Sequence, residues 1–186
     1  STDNISLTTN AGAGSDATIV NTVAIDLDAS TIGGALSVTA TTGDVTDNGA
    51  AISVGSTASF TTLGSNADIT LTGLSGTGAI SLSTTGASGN ATVTEASSLD
   101  LGTVTIGGDL TATSTAGNIT DSGVITVTGN SVFDAATDDA NITLNSANAF
   151  TGTVDLNGAG GSLTDTTIKD TAGTFDVHTS GISIEG

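Results

Sequence analysis

The sequence predicts an all-β chain wound as a right-handed parallel β-helix. Three observations point there. Two stretches recur nearly unchanged at a fixed offset, apolar and polar residues alternate in short runs along the chain, and the bulky residues of compact cores are scarce. A long internal repeat of short strands is the signature of an array or solenoid.

The repeat comes first. Thr31-Ile32-Gly33-Gly34-Ala35-Leu36 returns as Thr105-Ile106-Gly107-Gly108-Asp109-Leu110, at an offset of 74. Gly43-Asp44-Val45-Thr46-Asp47-Asn48-Gly49 returns as Gly117-Asn118-Ile119-Thr120-Asp121-Ser122-Gly123 at the same offset of 74. Ile52, Val54, Phe60, Ile69 and Leu71 match Ile125, Val127, Phe133, Ile142 and Leu144 at offset 73. The copies run approximately 31–104 and 105–177, inside one continuous segment, 1–186.

The strands follow from period-two alternation. Ile5-Ser6-Leu7, Ala24-Ile25-Asp26-Leu27, Leu36-Ser37-Val38-Thr39-Ala40 and Ile52-Ser53-Val54 open the series. Ile69-Thr70-Leu71, Ile80-Ser81-Leu82, Leu99-Asp100-Leu101 and Ile125-Thr126-Val127 continue it. Ile142-Thr143-Leu144, Val154-Asp155-Leu156, Phe175-Asp176-Val177 and Ile182-Ser183-Ile184 close it. Aliphatics face inward; Ser, Thr and Asp face outward. Gly, Asn, Asp and Ser fill the turns between runs. No apolar stripe keeps a helical period.

Tandem Ig-like sandwiches are the alternative architecture for a repeat of this length. They are disfavoured because Pro, Trp and Tyr are all 0 and no linker separates the copies. At roughly 18–25 residues per coil the helix would have about eight to ten coils and measure roughly 40–50 Å.

Composition narrows the partners. The net charge is -18, and Lys169 is the only Lys or Arg. Phosphate backbones are bound by cations, so no nucleic acid partner is expected. No apolar run approaches the ~18 residues of a membrane span, so no membrane insertion is expected. With Cys 0, disulfides and thiolate chemistry are excluded.

With Gly-Gly-x-Leu ahead of the Gly-Asp/Asn-Val/Ile-Thr-Asp-x-Gly motif, the chain resembles the repeats of filamentous haemagglutinin-like exoproteins. These are large bacterial surface proteins exported by two-partner secretion and folded as right-handed parallel β-helices. The resemblance covers about residues 24 to 165. It implies a secreted, cell-surface location and an adhesive or structural role. It also implies a rod segment rather than a binding tip.

Candidate chemistry is sparse. A polysaccharide-cleaving β-helix needs a cation or paired carboxylates at its subsite. Lys169 and His178 are the only cationic candidates, so no enzyme activity is expected and no catalytic residue is assigned. His178 falls on the outward phase of its strand. Asp134, Asp138 and Asp139 gather three carboxylates in one connection and are the calcium candidates, hard oxygen ligands without an EF-hand pattern. No other cofactor is expected. Thr-x-Thr pairs at Thr39/Thr41, Thr92/Thr94, Thr103/Thr105, Thr111/Thr113 and Thr126/Thr128 raise ice binding. Their irregular successive spacings fit no single coil period, which argues against one stacked file.

The function expected is a structural or adhesive repeat segment of a secreted bacterial surface protein, forming an elongated rod or part of an extracellular filament. A self-assembling fibre subunit is the alternative; an ice-binding solenoid and a polysaccharide-active enzyme rank lower. Ile5-Ser6-Leu7 and Ile182-Ser183-Ile184 read as ordinary coils rather than caps. Further copies or neighbouring repeats are therefore the expected partners, end to end. A host or cell-surface glycan or protein would be bound through other regions.

Overall fold

The computed structural model describes residues 4–12, 14–76, 78–158, 162–172, 176–178 and 183–184. Among them there is no helix, and strands pair in parallel throughout. They stack as a β-solenoid of about 7 turns with internal repeats. A sandwich of antiparallel sheets is excluded by that pairing.

The chain shuttles between a sheet of 11 strands and a sheet of 9. β1 (Asn4–Ile5) lies in the larger sheet and β2 (Ala17–Asn21) in the smaller. β3 (Ile25–Leu27) and β4 (Ser30–Ile32) return to the larger sheet, and β5 (Leu36–Ala40) to the smaller. β6 (Val45–Thr46), β7 (Ile52–Val54) and β9 (Ile69–Gly76) add to the larger; β8 (Ala58–Ser65) and β10 (Ile80–Thr85) add to the smaller. Then β11 (Ala91–Glu95), β13 (Leu110–Ser114), β16 (Ser131–Ala135) and β18 (Thr153–Gly158) extend the larger sheet. Opposite them run β12 (Leu99–Ile106), β14 (Ile119–Asp121), β15 (Ile125–Val127) and β17 (Ile142–Phe150). β19 (Ser162–Leu163) pairs only with β22 (Ser183–Ile184); β20 (Thr166–Asp170) and β21 (Asp176–His178) end the two sheets.

Coil length varies along the axis. A short coil carries Ala91 to its partner Leu110, and a long one carries Val45 to Ile69. The turns number fewer than the eight to ten expected from coil size. Residues near both ends go into two-residue strands, β1, β19 and β22, and the last two stand outside the main sheets. Phe175 and Ile182, assigned inward positions by alternation, lie outside the described residues.

The core is a set of stacked files. Val38, Phe60, Leu82 and Val104 form one, each from a successive coil. Ala112, Phe133 and Leu156 form another on the opposite side. Small Ala112 beside large Phe133 is the kind of pairing that fills a narrow interior without voids. Phe133 and Phe150 meet edge to face at 5.9 Å and 81°. The exposed apolar side chains Val20, Val23, Leu63 and Val124 are scattered singly.

The repeat has an unexpected relation to the coil. From β2 to β10 the chain crosses the solenoid in seven arms, counting β3 with β4 and β6 with β7 as one arm each. From β11 to β18 it does so again, with β14 and β15 as one arm. Seven arms at two per coil are three and a half coils. Equivalent residues therefore occupy opposite sheets. Leu36 lies in the smaller sheet and its counterpart Leu110 in the larger; Phe60 and Phe133 are divided the same way.

The Gly-Gly pairs of the repeat have a packing reason. A Cβ on Gly34 would collide with Asp16 and the Ser15 backbone, and one on Gly108 with Asn90 and the Gly89 backbone. Neighbouring coils approach there more closely than a side chain allows.

Candidate functional site

Three arrangements of polar side chains are built by this fold. The first is a corner ladder just ahead of the arms of the larger sheet. Asp44 Oδ1 accepts the Asp68 N–H at 2.9 Å, and Asp68 Oδ1 accepts the Asn90 N–H at 2.8 Å. Asn90 Oδ1 accepts from Asp109 at 2.8 Å, Asp109 Oδ1 from Asn130 at 2.7 Å, and Asn130 Oδ1 from Thr153 at 3.1 Å. Each turn residue thus caps the amide one coil further on. On the other side Asn118, Asn141 and Asp165 repeat the device, with bonds of 2.8 and 2.9 Å. Asn and Asp suit turns because their short side chains bond nearby backbone.

The second is a buried carboxylate in each repeat. Asp47 is 0% exposed and accepts N–H bonds from Thr72 and Gly73, both at 2.8 Å to Oδ2. Asp121 accepts from Asn145 at 2.8 Å and Ser146 at 3.1 Å. It also accepts Asn148 Nδ2 at 2.6 Å, while Asn148 Oδ1 takes the Ile125 N–H at 2.8 Å. These carboxylates let the chain turn within an arm without stranding buried amides. Asp26 accepts Thr46 Oγ1 at 3.2 Å and Asn48 Nδ2 at 2.6 Å. For its counterpart Asp100, Ser122 stands at the position equivalent to Asn48, and Asp100 Oδ1 is buried with no partner.

Glu95 stands apart. It is 2% exposed, and its Oε1 accepts the Gly76 N–H at 2.9 Å and Ser97 Oγ at 3.1 Å. Burial pushes its carboxyl above the ordinary value, against the opposing pull of the Gly76 amide. The corresponding residue of the first repeat is the neutral Asn21.

The third arrangement covers the outer face of the smaller sheet. Thr18, Ser37, Ser59 and Ser81 stack in one row. Val20, Thr39, Thr61, Ser83, Thr105 and Thr126 stack in the next. The Thr-x-Thr pairs do not stack in one file, as their spacing implied, since Thr92 and Thr111 lie on the larger sheet; the file here is a mixed set of Ser and Thr. Coil lengths vary, so only the register aligns these residues. Between β10 and β12 the register shifts, and the outer face holds a depression beside the shift. Its volume is about 230 Å³, rimmed by Ser59, Thr61, Ser81, Ser83, Thr103 and Thr105. The larger sheet carries a row of its own, Thr46, Thr70, Thr92 and Thr111, flanked by the acid Asp26 beside Thr46.

The calcium candidates are not drawn together. Asp134 sits on β16, half-buried, between Thr113 and Asn157. Asp138 and Asp139 are exposed in the connection that follows, Asp139 with φ 59. Among the described residues, no group of three His, Cys, Asp or Glu side chains is placed to hold a metal ion. Lys169 is exposed on β20, and the His178 backbone pairs with Asp155 on β21. Sequence reasoning missed Glu95 and the capping role of Asp47 and Asp121. The recurrence of Asp at the end of Gly-Asp/Asn-Val/Ile-Thr-Asp was the available signal for the caps.

The repeat family described as Repeats of unknown function (DUF5649) matches residues 14–83 and 88–157. The two stretches make up more than half of the chain. Their starts, 14 and 88, are separated by the period read from the sequence, though the matched units begin in a different phase from 31 and 105. Each holds seven arms, β2 to β10 and β11 to β18. No curated protein and no solved structure matches the chain.

Proposed function

We propose that this chain, which belongs to the DUF5649 repeat family, is a rod segment of a secreted bacterial surface protein with a structural or adhesive role. The observation that carries the reading is the junction between the matched units. Only residues 84–87 separate them. The corner ladder runs through the junction without a break, from Asp68 to Asn90 to Asp109. A joint bonded like every other coil transmits length and stiffness. The location and the role are inferred from the motif resemblance at 43–49 and 117–123 alone.

Two experiments test it. Small-angle scattering of the purified chain should give the profile of a rod, with a maximum dimension well above that of a sphere of equal mass. A spherical profile would overturn the rod. Protease shaving of intact producing cells should release fragments of this segment. Fragments recovered only after lysis would overturn the surface location.

A further inference from the structure

The middle of the outer face of the smaller sheet carries a two-dimensional grid of hydroxyls. Ser37, Ser59 and Ser81 occupy one row, and Thr39, Thr61, Ser83, Thr105 and Thr126 the other. Among the described residues none of these hydroxyls is hydrogen-bonded within the protein, so each is free to bond outward. The chain has 19 acids, yet neither row contains one. Members of a row lie ~4.8 Å apart from coil to coil, and the two rows lie roughly 6.5 Å apart along the strand. Backbone ladders on both sides of each strand hold that grid fixed.

The chemistry of the occupant follows from charge and periodicity. The two rows carry no charge in a strongly acidic molecule, with Asp100 on β12 and Lys169 on β20 elsewhere on the same sheet, and an uncharged grid suits an uncharged partner. Fixed repeats in two directions favour a partner with its own two-dimensional repeat over a single small molecule. A second copy of the chain fits poorly. With one row spanning Ser37 to Ser81 and the other Thr39 to Thr126, the grid covers only a few hundred Å², well under the ~800 Å² per partner of a stable complex.

The geometry points to ice as the occupant: the Ser/Thr rows of the smaller sheet hold water in a grid that merges with a crystal face. Hydroxyls take lattice positions, while the methyl groups of Thr39, Thr61, Thr105 and Thr126 restrict the water between rows. This function is separate from the rod reading and stands or falls without it.

The test is inhibition of ice recrystallisation by the whole chain in dilute sucrose, with thermal melts to confirm folding. Wild type should hold ice grains small. Thr61→Lys, which puts a bulky charge in the grid, should lose the effect. Thr92→Lys, on the opposite sheet, should keep it. If Thr61→Lys melts early, Thr105→Lys at a more exposed position takes its place. Wild type that leaves grain growth unchanged overturns the proposal, as does loss in Thr92→Lys with retention in Thr61→Lys. Retention on an insoluble neutral glucan without any effect on ice also overturns it and assigns the grid to a glycan.

Discussion

Asp47 and Asp121 perform one task on opposite sides of the solenoid. Each is the last acid of its repeat motif, and each takes two consecutive backbone amides from the following coil. They hold equivalent positions of the two repeats, three and a half coils apart, and so cap different sheets.

Removing such a cap should be costly. Asp121→Ala strands the N–H groups of Asn145 and Ser146 and the amide of Asn148. The Asn148 amide, 0% exposed, would be a buried donor without an acceptor, at a cost of about 1–3 kcal/mol, while Asn145 and Ser146 can turn to water. The urea midpoint of Asp121→Ala should fall markedly below wild type. An unchanged midpoint would show that water replaces the carboxylate.

Glu95 should make stability depend on pH in the sense opposite to the usual carboxylate. Burial raises its folded pKa above the ordinary 4.5, so the fold favours the protonated form. That contribution is fully present below the unfolded pKa and is lost as pH rises through the folded one. Near neutral pH the ionised Glu95 therefore costs stability. Glu95→Gln should melt above wild type there, with the gap closing as pH falls below 4.5. Equal melting temperatures across that range would count against it.

One repeat can be repaired from the other. Asn48 bonds Asp26, but at the equivalent position Ser122 leaves Asp100 Oδ1 unpartnered. Ser122→Asn should supply the missing bond and stabilise by about 0.5–1.5 kcal/mol. Ser122→Ala is the control and should give no gain. Denaturant titration of both variants decides it.

Phe133 and Phe150 should be energetically coupled. Phe133→Ala should destabilise by about 3–5 kcal/mol, the range for a large buried aromatic. In a double-mutant cycle with Phe150→Ala, the edge-to-face contact should appear as about 0.5–1.5 kcal/mol of coupling. Strict additivity would mean that the rings share space without interacting.

Much of the fold was legible because alternation is a local signal. Leu36-Ser37-Val38-Thr39-Ala40 reads as a half-buried strand, and in the structure Leu36, Val38 and Ala40 are buried. The repeat was equally plain. Its relation to the coil was not, since a repeat of that length looks the same whether it makes three coils, three and a half, or four. The hydroxyl rows were hidden for a related reason. Thr39 and Thr105 share a file while Thr92 and Thr111 lie on the other sheet, so a linear list mixes two faces. Glu95 shares the inward phase of Ala91 and Val93, but a carboxylate at the end of a strand reads as the start of a polar turn, so its burial was not read from that pattern.

The odd number of arms per repeat also bears on mechanics. In the first unit the two-part arms, β3 with β4 and β6 with β7, belong to the larger sheet; in the second, β14 with β15 belongs to the smaller. Any bend that the wider side impresses on one unit is reversed by the next. Curvature of that origin therefore alternates in sign from unit to unit instead of accumulating into a ring or a spring.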